Sequence, residues 1–247
     1  MRKLLLLMLS VMVVGSVWAQ SANTSVSGTV PVQGGQMKVD EADATDLLIT
    51  SDEDWQTFTA NANQYASSNV KLDADIQVAT MFAATFTGTF DGQGHTIMYA
   101  EGFKPMADFA LFQAAGEGAS FRNFEVKGTL NMLHKFAGVA LEVNGPTTIE
   151  NVKVGANVTS SGFPLSGFVV SNTSQLDVTG CEFSGSLKCT QGASADIAGF
   201  ISVMNGKSAF KFRNCASTGK IELTNGNSVA GWRAGGFVST NTSTLVA

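Results

Sequence analysis

Tyrosine, histidine and proline are all scarce in this chain of 247 residues, which holds 2, 2 and 4 of them. The two histidines, His95 and His134, have no cysteine or carboxylate cluster at ligand spacing around them, so no metal-site motif is formed. A G-x-S-x-G nucleophile signature is also missing, and no cofactor fingerprint is present. Three cysteines, Cys181, Cys189 and Cys215, are an odd number and make a poor disulfide framework. Charge is sparse at 14% of residues, whereas Gly reaches 26 and Phe 17; this apolar balance excludes a disordered chain, which needs low hydrophobicity and high net charge.

One hydrophobic run exists, from Leu4 to Val14, and it is too short for a bilayer span of about 20 residues. Arg2 and Lys3 precede it, and Val17-Trp18-Ala19 follows with small residues at the two positions a signal peptidase reads. Residues 1–19 therefore read as a signal peptide cleaved after Ala19, and the mature chain is expected to be exported, with no membrane insertion. Its loss leaves 13 basic against 20 acidic residues, a net charge of −7, which argues against nucleic acid as a partner.

The chain repeats itself. A small residue, Gly and an apolar residue recur at Ala137-Gly138-Val139, Ser166-Gly167-Phe168, Ala198-Gly199-Phe200 and Gly235-Gly236-Phe237, with a weaker form at Ala110-Leu111-Phe112. A second signature is centred on Asn123, Asn151, Gly180 and Asn214, at steps of 28, 29 and 34 residues. Two places before that column stand Phe121, Ile149, Val178 and Phe212, and one place after it stand Phe124, Val152, Cys181 and Cys215. Polar residues alternate with these, as on a strand with one buried face. The alternation slips by one residue at the column itself, so a bend belongs there; Asn and Gly are the types that best accept a left-handed backbone. Repeats of this size cannot bury a face alone and must stack. Stacking at ~4.8 Å would align Glu125, Lys153 and Glu182 as an outward ladder of alternating sign. The expected fold is all-β: a right-handed parallel β-helix, or solenoid, with a short N-terminal capping helix.

The ends are expected to differ from the middle. Residues 20–48 read as a flexible leader and 49–85 as an N-terminal cap. In that cap Ser51 or Asp52 begins a helix over 52–66, with Trp55, Phe58, Ala62 and Tyr65 at helical spacing, followed by a strand from Val70 to Val78. Residues 86–247 carry the repeats. Asn241-Thr242-Ser243-Thr244-Leu245 restarts the pattern of Asn172-Thr173-Ser174-Gln175-Leu176 and stops before the corner, which reads as truncation, with further rungs or another chain expected to continue that end.

The segment Phe86-Thr87-Gly88-Thr89-Phe90-Asp91-Gly92-Gln93-Gly94-His95-Thr96-Ile97, preceded by the Trp55 helix, resembles the opening rungs of secreted bacterial β-helix surface proteins. The Ala-Gly-Phe and Ile-Glu-Asn-Val signatures are similar to the GLUG-type repeats of adhesin-like proteins, in a degenerate form that covers about residues 49–247. The resemblance implies a solenoid at the cell surface and no catalytic residues.

The expected function is thus a non-catalytic, secreted or cell-surface scaffold for adhesion or ligand binding, with a glycan or host surface protein as partner. Two alternatives stand beside it: a β-helix polysaccharide lyase or glycosidase, or its accessory domain, and a structural stalk. Trp232 and Arg233, at the end of the longest insertion (225–233), are the candidate ligand contacts, against core packing of Trp232. Asp73, Asp75 and Asp91 could seed a calcium site or a glycosidase pair, but turn residues bonding nearby backbone amides are the stronger reading. Cys181 and Cys215 share an inward column, where they would stack as small hydrophobes or form a disulfide.

Overall fold

A computed structural model describes residues 29–32, 35–39, 46–162, 164–190, 195–206, 208–224 and 231–242. The expected signal peptide lies outside the described residues. The fold is all-β with a single helix among the described residues, and its strands form four sheets. Apart from two antiparallel pairings at the N-terminal edge, every strand pairing is parallel.

From residue 120 onward the chain visits the four sheets in a fixed order on each pass. Ser120–Lys127 lies in a long, 13-stranded sheet, Thr129–Met132 and Phe136–Ala137 in two four-stranded sheets, and Ala140–Val143 in a six-stranded sheet. The next pass repeats this with Thr147–Val154, Asn157–Ser160, Leu165–Ser166 and Val169–Asn172. Register between passes matches the sequence columns: Phe121 pairs with Ile149 and Phe124 with Val152, and Ile149 in turn pairs with Val178. A parallel ladder places like residues directly over one another, so each column keeps the same face from pass to pass, with Phe212 and Cys215 of the inward columns partly buried. The inside columns supply one continuous core, in which Phe168 stacks on Phe200 at 4.4 Å and Phe200 on Phe237 at 4.9 Å.

Asn123, Asn151 and Asn214 have φ of 57°, 52° and 52°, and Gly180 has 65°. These four residues let each strand bend without breaking its alternation on either side. Asn151 Nδ2 donates to Asn123 Oδ1 at 3.3 Å, and Asn123 Nδ2 donates to Asp91 Oδ1 at 3.1 Å, which ties successive passes along the corner. A Cβ on Gly180 would sit 2.6 Å from Asn151 Oδ1, so the glycine makes room for the asparagine beneath it. The bend does not always separate two strands: Ser120–Lys127 and Thr147–Val154 run through it unbroken, while the next pass divides into Gln175–Thr179 and Glu182–Phe183. Glu125, Lys153 and Glu182 do align in one column, yet no ion pair joins them; Glu125 pairs instead with Lys127 at 2.7 Å.

The N-terminal end departs from expectation in three places. Helix α1 spans Asp52–Ala60 rather than 52–66, because Asn61 leaves the helical backbone at φ −113° and ψ 34° and its side-chain amide donates to the Thr57 carbonyl. Ser51 accepts from the Asp54 N–H at 3.2 Å, and Asp54 accepts in return from the Thr50 N–H at 2.9 Å, a reciprocal cap. The helix buries Trp55 and Phe58, and Trp55 meets Phe90 and Phe112 edge-on, which covers the first core layer. The strand expected from Val70 to Val78 is two strands, Asn69–Leu72 and Ile76–Val78. Part of the stretch assigned to a flexible leader is strand: Thr29–Val32 and Gly35–Val39 pair as a hairpin, and Gly35–Val39 adds antiparallel to Asp46–Ile49. No helix among the described residues is long and apolar enough to cross a membrane.

Candidate functional site

The small-Gly-apolar signature builds a concave corner. In each pass it lies at the junction of the two-residue strands (Phe136–Ala137, Leu165–Ser166) with the six-stranded sheet. The apolar residue goes in, as Val139, Phe168 and Phe200 are all fully buried. The Gly permits close approach: a Cβ on Gly138, Gly167 or Gly199 would come within 2.2, 2.1 and 2.2 Å of the carbonyl oxygen one pass on. The small residue points away from the main core, and Ala110, Ala137, Ser166 and Ala198 are nonetheless fully buried. They are covered because the chain folds back there, and Ala110 and Ala137 join Leu141, Val170 and Met81 in a second apolar cluster. Ser166 Oγ donates to the Phe200 carbonyl at 2.6 Å, so the one polar member of this column is satisfied.

Over this second cluster runs a groove. One concavity, of about 450 Å³, is lined by Met81, Met106, Asp108, Gln113, His134, Leu141 and Glu142. The next, of about 290 Å³, shares Asp108, Leu141 and Glu142 and continues over Lys135, Pro164, Val170, Ser171, Val203 and Asn205. The groove therefore crosses several successive passes, with loop residues 106–108, 134–135 and 164 on one wall and the six-stranded sheet on the other. Asp108 accepts from the Lys135 N–H at 3.1 Å and faces its Nζ at 3.4 Å, tying one loop to the next. Glu142 accepts only from Asn144 Nδ2, at 3.1 Å.

The residues singled out from sequence fall elsewhere. Arg233 is held by Asp196 through Nε at 2.6 Å and Nη2 at 3.0 Å, and Ser239 and Thr240 hydroxyls donate to the same carboxylate. Burial would raise the Asp196 pKa, but these partners outweigh it and hold the carboxyl below its usual range. Arg233 thus joins two passes through Asp196 while its side chain stays half exposed. Trp232 packs against the core, and its Nε1 is buried with no hydrogen-bond partner among the described residues. The preceding insertion, 225–230, lies outside the described residues.

Of the acidic candidates, Asp75 and Asp91 are tied to neighbouring backbone and side-chain groups. Asp75 Oδ1 accepts from the Thr96 N–H at 2.8 Å and contacts His95 Nδ1 at 3.2 Å; the backbone bond chiefly lowers its pKa. Asp91 accepts from the Gln93 N–H, Asn123 and Arg122, which together overcome the effect of burial and lower its pKa too. Another concavity of about 490 Å³ beside Asp52 and Asp75 is framed by the same kind of bond, since Asp52 Oδ1 accepts from the Gln77 N–H at 2.6 Å. Among the described residues no three His, Cys, Asp or Glu side chains gather into a metal-binding group. Cys181, Cys189 and Cys215 are free thiols, and burial pushes the Cys181 thiol up to about 12.

The groove had no motif to announce it. Its one sequence signal is the run of Ala or Ser before each Gly, a column kept small where an outward strand position usually carries a polar side chain. No family model, curated protein or solved structure matches this chain.

Proposed function

We propose that this chain is an exported right-handed parallel β-helix of degenerate GLUG-type repeats, acting at the bacterial cell surface as a non-catalytic scaffold for adhesion or ligand binding. The observation that carries the reading is the groove over Met81, Leu141 and Val170, because the repeat itself generates it and extends it along the stack. Ligand sites are concave and join apolar surface to polar groups that fix orientation; this groove sets Met81, Met106 and Val203 beside Asp108, Gln113, Lys135 and Glu142. Right-handedness follows from the parallel connections, which take that hand in about 98% of cases.

Asp75, Asp91 and Asp196 have depressed pKa values, and each accepts hydrogen bonds from neighbouring groups. A general acid needs the opposite shift, toward the working pH. Asp75, Asp91 and Asp196 are therefore not tuned to serve as that general acid.

The test is a glycan and host-protein array probed with the purified protein, run beside a polysaccharide depolymerisation assay. Binding without loss of polymer length is the expected result. Depolymerisation would hand the reading to a carbohydrate-active enzyme, and an array without a single hit would hand it to a stalk. Export is checked separately by N-terminal sequencing of secreted protein, with Gln20 expected first.

A further inference from the structure

The floor of the groove narrows the class of ligand. Met81, Leu141 and Val170 pack over Ala110 and Ala137, and at the rim Met106 is 88% exposed, with Leu133 on the adjoining loop at 71%. Unbranched thioether side chains re-pack around apolar groups of varied shape, which suits them to holding alkyl and aromatic side chains of a partner. Sugars are more often held by a flat ring against the pyranose face. Here Trp55, Tyr65 and Tyr99 are buried in the core and Trp232 packs in the last pass, so no described Trp or Tyr lines the groove.

Charge narrows it further. The Asp108 carboxylate is already answered by Lys135. Glu142 is exposed at the junction of the two concavities and meets no cation among the described residues. The whole chain carries a net charge of −5, so a cationic partner is drawn toward it rather than repelled.

Length completes the description. Residues 81, 113, 141, 170 and 203 sit on or beside five successive strands of the six-stranded sheet, Phe82–Phe86 through Ile201–Met204. At ~4.8 Å per strand the groove runs about 19 Å, room for about five or six residues of extended chain at ~3.3 Å each.

We infer that the groove binds an extended polypeptide segment bearing apolar side chains toward Met81 and the exposed Met106, above the buried Leu141 and Val170, and a Lys or Arg opposite Glu142. This rests on the reading of the chain as a binding scaffold, and it replaces "glycan or protein" by protein. The segment lies across the strand ends without adding to a sheet edge, so its affinity comes from side chains and not from a backbone ladder.

The experiment uses the full chain with methyl-labelled methionine and three probes: a short blocked peptide alternating Val and Lys, the same peptide with Glu for Lys, and a neutral oligosaccharide. The Val/Lys peptide is expected to move the Met81 and Met106 methyl signals. Glu142→Lys should weaken it by about fivefold or more, in line with the loss and reversal of one exposed charge pair, and Glu142→Gln by less. Met106→Asp, also at an exposed position, should weaken it without changing the melting temperature. Equal binding of the Val/Glu peptide overturns the inference. So does movement of the same methyls by the oligosaccharide alone, or failure of every probe to move them. In those cases the scaffold reading still stands if the array finds a ligand and no polymer is cleaved.

Discussion

Alanine at Gly167 would place its Cβ 2.1 Å from the Gly199 carbonyl oxygen and 2.6 Å from Phe183 Cδ2. An ordinary contact needs more than an ångström of further separation from that oxygen, and both obstacles are firmly held, one as backbone and the other as a fully buried ring. The passes must part locally. That strains two ladder bonds, Gly138 N–H to the Gly167 carbonyl at 2.9 Å and Gly167 N–H to the Ala198 carbonyl at 3.0 Å. Weakening them costs about 1 kcal/mol each, and overpacking adds about 1–3 kcal/mol, so a loss of about 3–5 kcal/mol is expected. For a domain of this size that lowers the melting temperature by about 6–20 °C. Gly155→Ala is the control: its new Cβ would meet nothing closer than Ser184 Oγ at 3.5 Å, and reduced freedom of the unfolded chain should stabilise the protein by about 0.4–1 kcal/mol. Both variants are compared with the parent by calorimetry and by urea midpoints. If Gly167→Ala melts within about 2 °C of the parent, less than 1 kcal/mol has been lost, and the close stacking of passes at this column is wrong.

Asn151→Ala should cost roughly 1–2 kcal/mol, because alanine has no easy access to φ of 52°, whereas Asn151→Gly should cost less; equal losses would show that the Asn123 bond and not the backbone matters. Because the Asp196 carboxyl is depressed in the folded state, its contribution is present above the unfolded carboxylate value of about 4 and is lost as pH falls through the lower folded value. Melts between neutral and acid pH should therefore show a shallower acid decline for Asp196→Asn than for the parent, and superimposable declines would remove Asp196 from the account. With its thiol pushed up to about 12 and its side chain buried, Cys181 should resist alkylation in the native protein while the partly exposed Cys215 is modified first. Mass spectrometry after brief iodoacetamide treatment reads the order, and equal labelling of both would contradict the burial of this column.

Much of the architecture could be read from residue columns. Phe121, Ile149, Val178 and Phe212 are apolar because one face of each strand is buried, and Asn123, Asn151, Gly180 and Asn214 share a type because each must take the same left-handed backbone. Such demands are local and recur at every pass, so sequence records them. Helix α1 could be placed by its cap, since Ser51 and Asp54 act within one turn. Its end could not, because the Trp55, Phe58, Ala62 and Tyr65 spacing continues past Asn61 and all four residues are buried, the last two from turns.

Tertiary structure alone decided the rest. The groove draws Met81, Met106, His134, Pro164 and Val203 from loops and strands that share no residue type, so the small-residue column beneath it does not reveal its lining; only stacking at fixed spacing makes them neighbours. The Arg233 pairing with Asp196 could not be read from sequence, because Asp196 stands 37 residues earlier and only the pairing of Ala195–Ala198 with Trp232–Gly235 brings the two charges together. Backbone conformation is a property of short stretches of chain and is written where it acts. Which side chains face one another across passes depends on register and on loop paths, and those are settled when the strands pair.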